Sequence, residues 1–399
     1  MKYNYLLLNR QVQRGYKFKL KVRSKAIQLK LTHFSGCYRL IYNLALQQRI
    51  WVWNQRKVSL SYATQCLELP RLKEEFPFLR EVHSQVLQQA LLDLDRAFRN
   101  YFEGRAEFPR FKKRKDGVSF RYPQGVKVEG RRVYLPRIGW IRFFKSREIE
   151  GKIKQATVSM EADGWFISFS VEKDIDIAPM RLDNLIGIDM GIRNFLSTSL
   201  GWQVENPLYL DRHLRKLAKE QRRLSRKKKF SRNWFKQLRR VRRVHKKISN
   251  SRNDFLHKVS TSIAKSHGVV VEDLRVKKIS GSRTSTLNRS ILDSSWGRFL
   301  QFLEYKCSER GHLFLRVSPR HTSQSCSKCG FSSPENRKDV GLFICGSCGL
   351  REDADINAAR VILKRGLAVL NCSTVGHTGS KASGVWTNVQ TMKEESHVL

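Results

Sequence analysis

Leu185-Ile186-Gly187-Ile188-Asp189-Met190-Gly191, with Arg193-Asn194-Phe195-Leu196-Ser197-Thr198 just behind it, is the stretch whose reading decides the fold. Leu185 to Ile188 form a short apolar run of strand type, and Asp189 falls where that strand leaves a core. Asp beside Gly is, on its own, ordinary turn chemistry. A carboxylate at a strand end, followed by a glycine, can also hold a divalent cation against a phosphate. The rest of the chain decides between the two.

With 399 residues, 40% of them hydrophobic, the chain has material for two or three domains with real cores. Its 77 Lys and Arg stand against 35 Asp and Glu, a net charge of +42. A field of that strength attracts polyanions, and a 10% aromatic content supplies rings on which unpaired bases stack. No apolar run approaches the length of a membrane span, and Tyr5-Leu6-Leu7-Leu8 is too short for a signal peptide. The expected compartment is the cytoplasm, where disulfides are not expected, and the expected partner is nucleic acid rather than membrane.

Tyr16-Lys17-Phe18-Lys19-Leu20-Lys21-Val22 alternates apolar and basic residues, a half-buried strand with a cationic face. Helical spacing follows over Leu31–Trp53 and again over Val82–Tyr101, joined by a segment holding Pro70 and Pro77. The Tyr and Trp residues of this pair are read as core. Phe108-Pro109-Arg110-Phe111-Lys112-Lys113-Arg114-Lys115 then changes the texture, and residues 118–175 read as six short strands separated by turns. The expectation is a small β-barrel or sandwich over 1–32 and 107–180, completed by the Tyr16 strand, with a helical insertion over 33–106.

Beyond Pro179 the chain reads as strand, strand pair about Gly201, helix, strand, helix, strand and helix. Residues 211–250 hold eighteen Lys and Arg against Asp211 and Glu220. This is a basic helix or a helical hairpin broken near Ser231, and a run of one sign this dense calls for a polyanion. Arg222, Arg223, Lys227, Lys228, Arg239, Arg240, Arg242 and Arg243 are its candidate nucleic-acid contacts. Val269-Val270-Val271-Glu272-Asp273-Leu274 is a buried strand ending in two carboxylates. Residues 280–288 are polar, Trp296–Arg310 is an amphipathic helix closed by Gly311, and His312–Ser318 is a strand. Residues 371–399 are a polar tail expected to be disordered.

Cys326-Ser327-Lys328-Cys329 and Cys345-Gly346-Ser347-Cys348 stand fifteen residues apart. Two knuckles at that separation bring four thiolates around one Zn2+, as in a zinc ribbon over 321–350. Four sulfurs fill the coordination sphere, so this zinc is structural. Cys37, Cys66, Cys307 and Cys372 are scattered and read as ordinary thiols.

After the ribbon comes Glu352-Asp353-Ala354-Asp355-Ile356-Asn357-Ala358-Ala359-Arg360, which opens an apolar helix. Acids at a helix start are often only caps. Here they are the third acid site in an ordered series: Asp189 on a first strand, Glu272 on a later strand, then Asp353 or Asp355. That order fits a ribonuclease-H-like α/β nuclease domain, RuvC-type, over 181–320 and 351–370, giving a multidomain α+β protein. Hydrolysis of a phosphodiester by two metals needs hard oxygen ligands of this kind, suited to Mg2+ or Mn2+.

The ordered set, with Thr322-Ser323-Gln324-Ser325-Cys326, the Phe108 run and Ser295-Trp296-Gly297 as further landmarks, resembles the OrfB/TnpB proteins of bacterial insertion sequences. These are compact relatives of the type V CRISPR effector nucleases, and the resemblance covers about residues 16–368. It implies a transposon-encoded, RNA-guided DNA endonuclease in the bacterial cytoplasm, nucleoid-associated, with guide RNA and double-stranded target DNA as partners. It implies Asp189, Glu272 and Asp355 as the catalytic, metal-holding acids, with Asp355 preferred because it lies two residues before the Asn of Asn-Ala-Ala. Two other readings share much of this pattern: a nucleic-acid-binding regulator without catalysis, and a transposase that cuts and joins DNA ends.

Overall fold

A computed structural model describes residues 8–113, 118–177, 184–274, 294–337, 339 and 341–375. The chain divides into two compact units, Asn9–Asp176 and Ile177–Leu399. Among the described residues no helix is long and apolar enough to cross a membrane.

The first unit begins with β1 (Leu8–Lys19), in which Tyr16 and Phe18 are buried while Lys17 and Lys19 point outward and pair with Glu161 and Asp163. Four helices follow: α1 (Lys25–Arg56), α2 (Tyr62–Leu67), α3 (Leu69–Glu75) and α4 (Ser84–Phe102). Pro70 and Pro77 stand in the first turns of α3 and of a 3-10 turn over Pro77–Glu81, where the missing N–H has no helical partner to lose. Strands β2 (Val118–Tyr122), β3 (Lys127–Glu129), β4 (Arg132–Leu135), β5 (Gly139–Arg142), β6 (Lys152–Glu161) and β7 (Gly164–Ile177) complete the unit.

The strands make two sheets, β1-β7-β6-β2 and β3-β4-β5, joined by a bridge between Leu20 and Phe143. A fully closed barrel is therefore not formed among the described residues. Phe34, Tyr38 and Ile41 of α1 and Val86, Leu87 and Leu94 of α4 bury into the same core as Phe120 and Tyr122 of β2. The expectation that the helical aromatics are core holds for Tyr38 and Tyr42 but not for Trp51 and Trp53, which are 55% and 53% exposed. Those two lie on the last turns of α1, on its solvent side. A cleft of about 770 Å³ in this unit is lined by Lys21, Arg131, Arg132, Arg142, Phe144 and Lys145.

In the second unit a five-stranded sheet has the order β10-β9-β8-β11-β12, with β8 (Leu185–Asp189), β9 (Asn194–Thr198), β10 (Gln203–Glu205), β11 (Gly268–Glu272) and β12 (Phe314–Val317). β8, β11 and β12 run parallel, and β9 runs antiparallel to β8 and β10. Along the chain these elements follow the sequence of strand, strand pair, helix, strand, helix, strand and helix expected for a ribonuclease-H-like domain. Between β10 and β11 the chain builds α5 (Tyr209–Ser225) and α6 (Arg232–Ser266), with Ser231 capping α6 through Trp234 N. The hairpin break near Ser231 is where the sequence places it. α7 (Trp296–Glu309) precedes β12, and α8 (Ala354–Val375) closes the unit.

Strand alternation sorts the side chains. Ile186, Ile188, Val269 and Val271 join Leu256, Ile263, Phe299 and Leu303 of α6 and α7 on one face. Val270 and Val317 meet Ile362 of α8 on the other. α8 extends to Val375, so the expected disordered tail is helical at its start. Residues 376–399 and the polar segment 280–288 lie outside the described residues.

Candidate active site and zinc ribbon

Gly187 sets the geometry. A Cβ at that position would fall 2.0 Å from the Ala359 carbonyl oxygen and 2.8 Å from the Leu363 nitrogen. Only a glycine lets α8 lie directly on β8. Asp355, Ala359 and Leu363 form one i, i+4 stripe on α8, and Asp189 is two residues past Gly187 on the same strand face. One helical turn back from Ala359 and one strand repeat on from Gly187 bring Asp355 toward Asp189. In keeping with this, Asp355 Oδ2 lies 3.9 Å from where a Cβ of Gly191 would stand.

Glu272 arrives by strand register. Val271 of β11 pairs with Ile188 of β8, so Glu272 falls beside Asp189 at the C-terminal ends of two parallel strands. Both side chains belong to the face that α8 covers. Thr322, after β12, donates its hydroxyl proton to Glu272 Oε1.

The electrostatics follow from this gathering. Burial first, then the carboxylates of Glu272 and Asp355, hold the Asp189 carboxyl up to about 7, with Arg337 opposing. Glu272 is raised by burial and eased by the Thr322 hydrogen bond. Asp355 is raised by burial and by Asp353, and lowered by Arg337, whose Nη2 stands 3.6 Å from its Oδ1.

Asp353 has a different position. Its Oδ1 accepts from the N–H groups of Asp355 and Ile356 at 3.0 and 3.1 Å and from Gln203 Nε2 at 3.2 Å. It caps α8, and it ends β14 (Arg351–Asp353), which pairs with β13 (Leu342–Ile344) in the ribbon.

Among the described residues the four cysteines form the one group whose ligand atoms all lie within 4.8 Å of one another. Cys326 Sγ is 3.6 Å from Cys348 Sγ, and Cys329 Sγ is 3.5 Å from Cys345 Sγ. Four sulfurs at about 2.3 Å from a tetrahedral Zn2+ are about 3.8 Å apart, so the set fits the ion. The two knuckles close with the same turn: Gly330 and Gly349, at φ 81° and 69°, donate their N–H groups to Cys326 O and Cys345 O, while Lys328 N and Cys348 N approach Cys326 Sγ and Cys345 Sγ. The amide of Cys348, helped by that of Ser347, holds the Cys345 thiol down to about 6, while burial and the neighbouring thiols push the Cys348 thiol up to about 11. The donor set and its spacing fit a structural zinc.

Asn357 ties this ribbon to α8. Fully buried, it accepts from Ser327 N at 2.9 Å and donates to Ser325 O at 2.9 Å. Asp355 thus stands one half-turn from a residue clamped to the first knuckle. In the sequence Asn357 serves only as a register mark, and its structural part, like that of Thr322, depends on contacts 30 and 50 residues away. The basic hairpin presents all eight of its candidate contacts, from Arg222 to Arg243, to solvent, with Arg223 also paired to Glu220.

Comparison with known proteins follows the same divisions. Residues 168–283 match the family described as "Probable transposase", the OrfB protein of IS605, and residues 296–362 match the "Cas12f1-like, TNB domain". Residues 9–57 match a family described as "Helix-turn-helix domain", although here they form β1 and the single helix α1. InsQ of Escherichia coli K12, whose name describes it provisionally as an RNA-guided DNA endonuclease, is 38% identical over 92% of this chain and 95% of its own length. A Streptomyces pristinaespiralis protein with the same provisional description is 35% identical over 91% of both chains. The CRISPR-associated endodeoxyribonuclease Cas12f1 of Sulfoacidibacillus thermotolerans is 25% identical over 50% of this chain and 49% of its own. The chain belongs to the IS605 OrfB/TnpB family.

Proposed function

We propose that the protein is a transposon-encoded, RNA-guided DNA endonuclease that hydrolyses phosphodiester bonds at Asp189, Glu272 and Asp355. What carries the reading is that the ends of β8 and β11 and the first turn of α8 bear Asp189, Glu272 and Asp355, and that Glu272 and Asp355 both raise the Asp189 carboxyl. The relatives' descriptions support the guide RNA and the DNA substrate.

The donor set fits magnesium or manganese: three carboxylates of hard oxygen and no imidazole or thiolate among them. Asp189, Glu272 and Asp355 would hold divalent cations there, and these would activate a water and stabilise the leaving oxygen. The chain's own residues do the positioning. Asp189 stands central to the other two acids, Thr322 orients Glu272, and Arg337 restrains Asp355 beside the ribbon. The basic α5–α6 hairpin draws the phosphate backbone toward the same unit.

Sequencing the RNA that co-purifies with the protein tests the guided part of this reading. One discrete non-coding RNA is expected, and random fragments would speak for an unguided binder. Joined products in a strand-transfer assay without RNA would speak for a transposase.

A further inference from the structure

The turn between α5 and α6 carries three rings that the hairpin's own packing does not use. The hairpin core consists of Leu217, Val241, Val244 and Ile248, flanked by Tyr209, Leu210 and Leu224. Phe230, Trp234 and Phe235 stand apart from it and contact one another, with centroids 5.6 and 5.1 Å apart. Phe230 is 76% exposed and Phe235 51%. Phe230 also holds φ at 66°, a left-handed backbone that a non-glycine residue adopts at a cost.

The surroundings narrow what could cover these rings. Arg226, Lys227, Lys228, Lys229, Arg232 and Lys236 flank them in sequence, all exposed, and the sequence has no Asp or Glu between Glu220 and Asp254. An occupant must offer flat apolar faces and bring its own negative charge. Unpaired nucleobases linked by phosphates meet both requirements.

Position narrows it further. Phe255 of α6 packs on Phe195 of β9 at 5.0 Å, and Phe195 O accepts from Gly191 N, just past Asp189. α6 ends at Ser266, next to the start of β11 and thus at the end of the sheet away from the acids. The residues before Phe255 therefore run out past the acid-bearing end. At 1.5 Å per residue the tip lies about 35 Å beyond it.

We propose that Phe230, Trp234 and Phe235 form a base-stacking contact for unpaired bases of the DNA strand that passes the carboxylates and follows the α5–α6 hairpin. The choice of DNA rests on the nuclease reading above. The stacking itself does not, and the test is a binding measurement that needs no cleavage.

Full-length, zinc-loaded protein without added magnesium is titrated against a fluorescent single-stranded DNA 20-mer, the matching RNA and a DNA duplex, across a salt series. The variants are the Phe230→Ala/Phe235→Ala, Phe230→Leu/Phe235→Leu and Phe230→Tyr/Phe235→Tyr pairs, with unchanged thermal transitions as the folding control. The Ala and Leu pairs are expected to lose about tenfold in affinity for single-stranded DNA, with Tyr retaining it. The salt slope stays unchanged because no phosphate contact is removed. Full retention by Ala or by Leu overturns the stacking contact, and a loss as large on the RNA overturns the assignment to DNA. Binding of phosphatidylserine vesicles that falls in the Ala pair while DNA binding does not would make the tip a membrane contact instead.

Discussion

Gly187 lies against Ala359 so closely that a methyl group at position 187 would stand 2.0 Å from the Ala359 carbonyl oxygen. The contact is backbone to backbone, so no flexible side chain can yield. Gly187→Ala is expected to push α8 off β8 and cost about 3 kcal/mol, read as a lowered thermal midpoint. Cleavage falls with it, because the same displacement carries Asp355 away from Asp189. An unchanged midpoint would contradict the direct packing of α8 on β8.

Asp353 and Asp355 are separable. Asp353→Ala removes the α8 cap and should cost about 1 kcal/mol in stability while leaving substantial cleavage. Asp355→Asn keeps the cap and should abolish cleavage with little change in the thermal midpoint. Denaturation and cleavage measured on both variants give opposite patterns, and a reversal would make Asp353 the third acid.

Asn357 makes the zinc ribbon part of the site's scaffold. Asn357→Ala strands the buried Ser327 N–H and Ser325 C=O, at about 2–4 kcal/mol. Cys345→Ser should lower the zinc content measured by metal analysis and reduce cleavage, although every acid remains in place. Full activity in a zinc-deficient protein would show that the ribbon does not position α8.

Lys306 gives a pH dependence. Buried among His257 O, Ser260 Oγ and Thr261 Oγ1, each 2.7 Å from its Nζ, it is pushed down from 10.5 to about 8 by burial and then by Arg310. The folded value lies below the unfolded one, so the penalty on the cation is full below pH 8. Stability on this account rises between pH 8 and 10.5, by about 3 kcal/mol at most. Lys306→Met should lack that rise when urea midpoints of the two proteins are compared across the range.

Much of this was legible in the chain itself. The apolar strands before Asp189 and Glu272, the break at Ser231 and the cysteine spacing are local patterns, and each element stands within a few residues of its expected place. What stayed hidden is non-local. Thr322 reaches Glu272 across 50 residues, and Asn357 reaches Ser327 across 30. The lining of the cationic cleft in the first unit comes from Lys21 and from Arg131 to Lys145, which no local run brings together. Periodicity also could not tell that Trp51 and Trp53 stay exposed.

The most direct test is cleavage of a plasmid carrying the target complementary to the co-purified RNA, beside a randomised flank, by the RNA-loaded protein in magnesium and by its Asp189→Asn variant. The wild type should cut, and the variant should fall at least about a thousandfold while still binding the RNA. Equal cutting by the two proteins would contradict the assignment of the site to Asp189, Glu272 and Asp355.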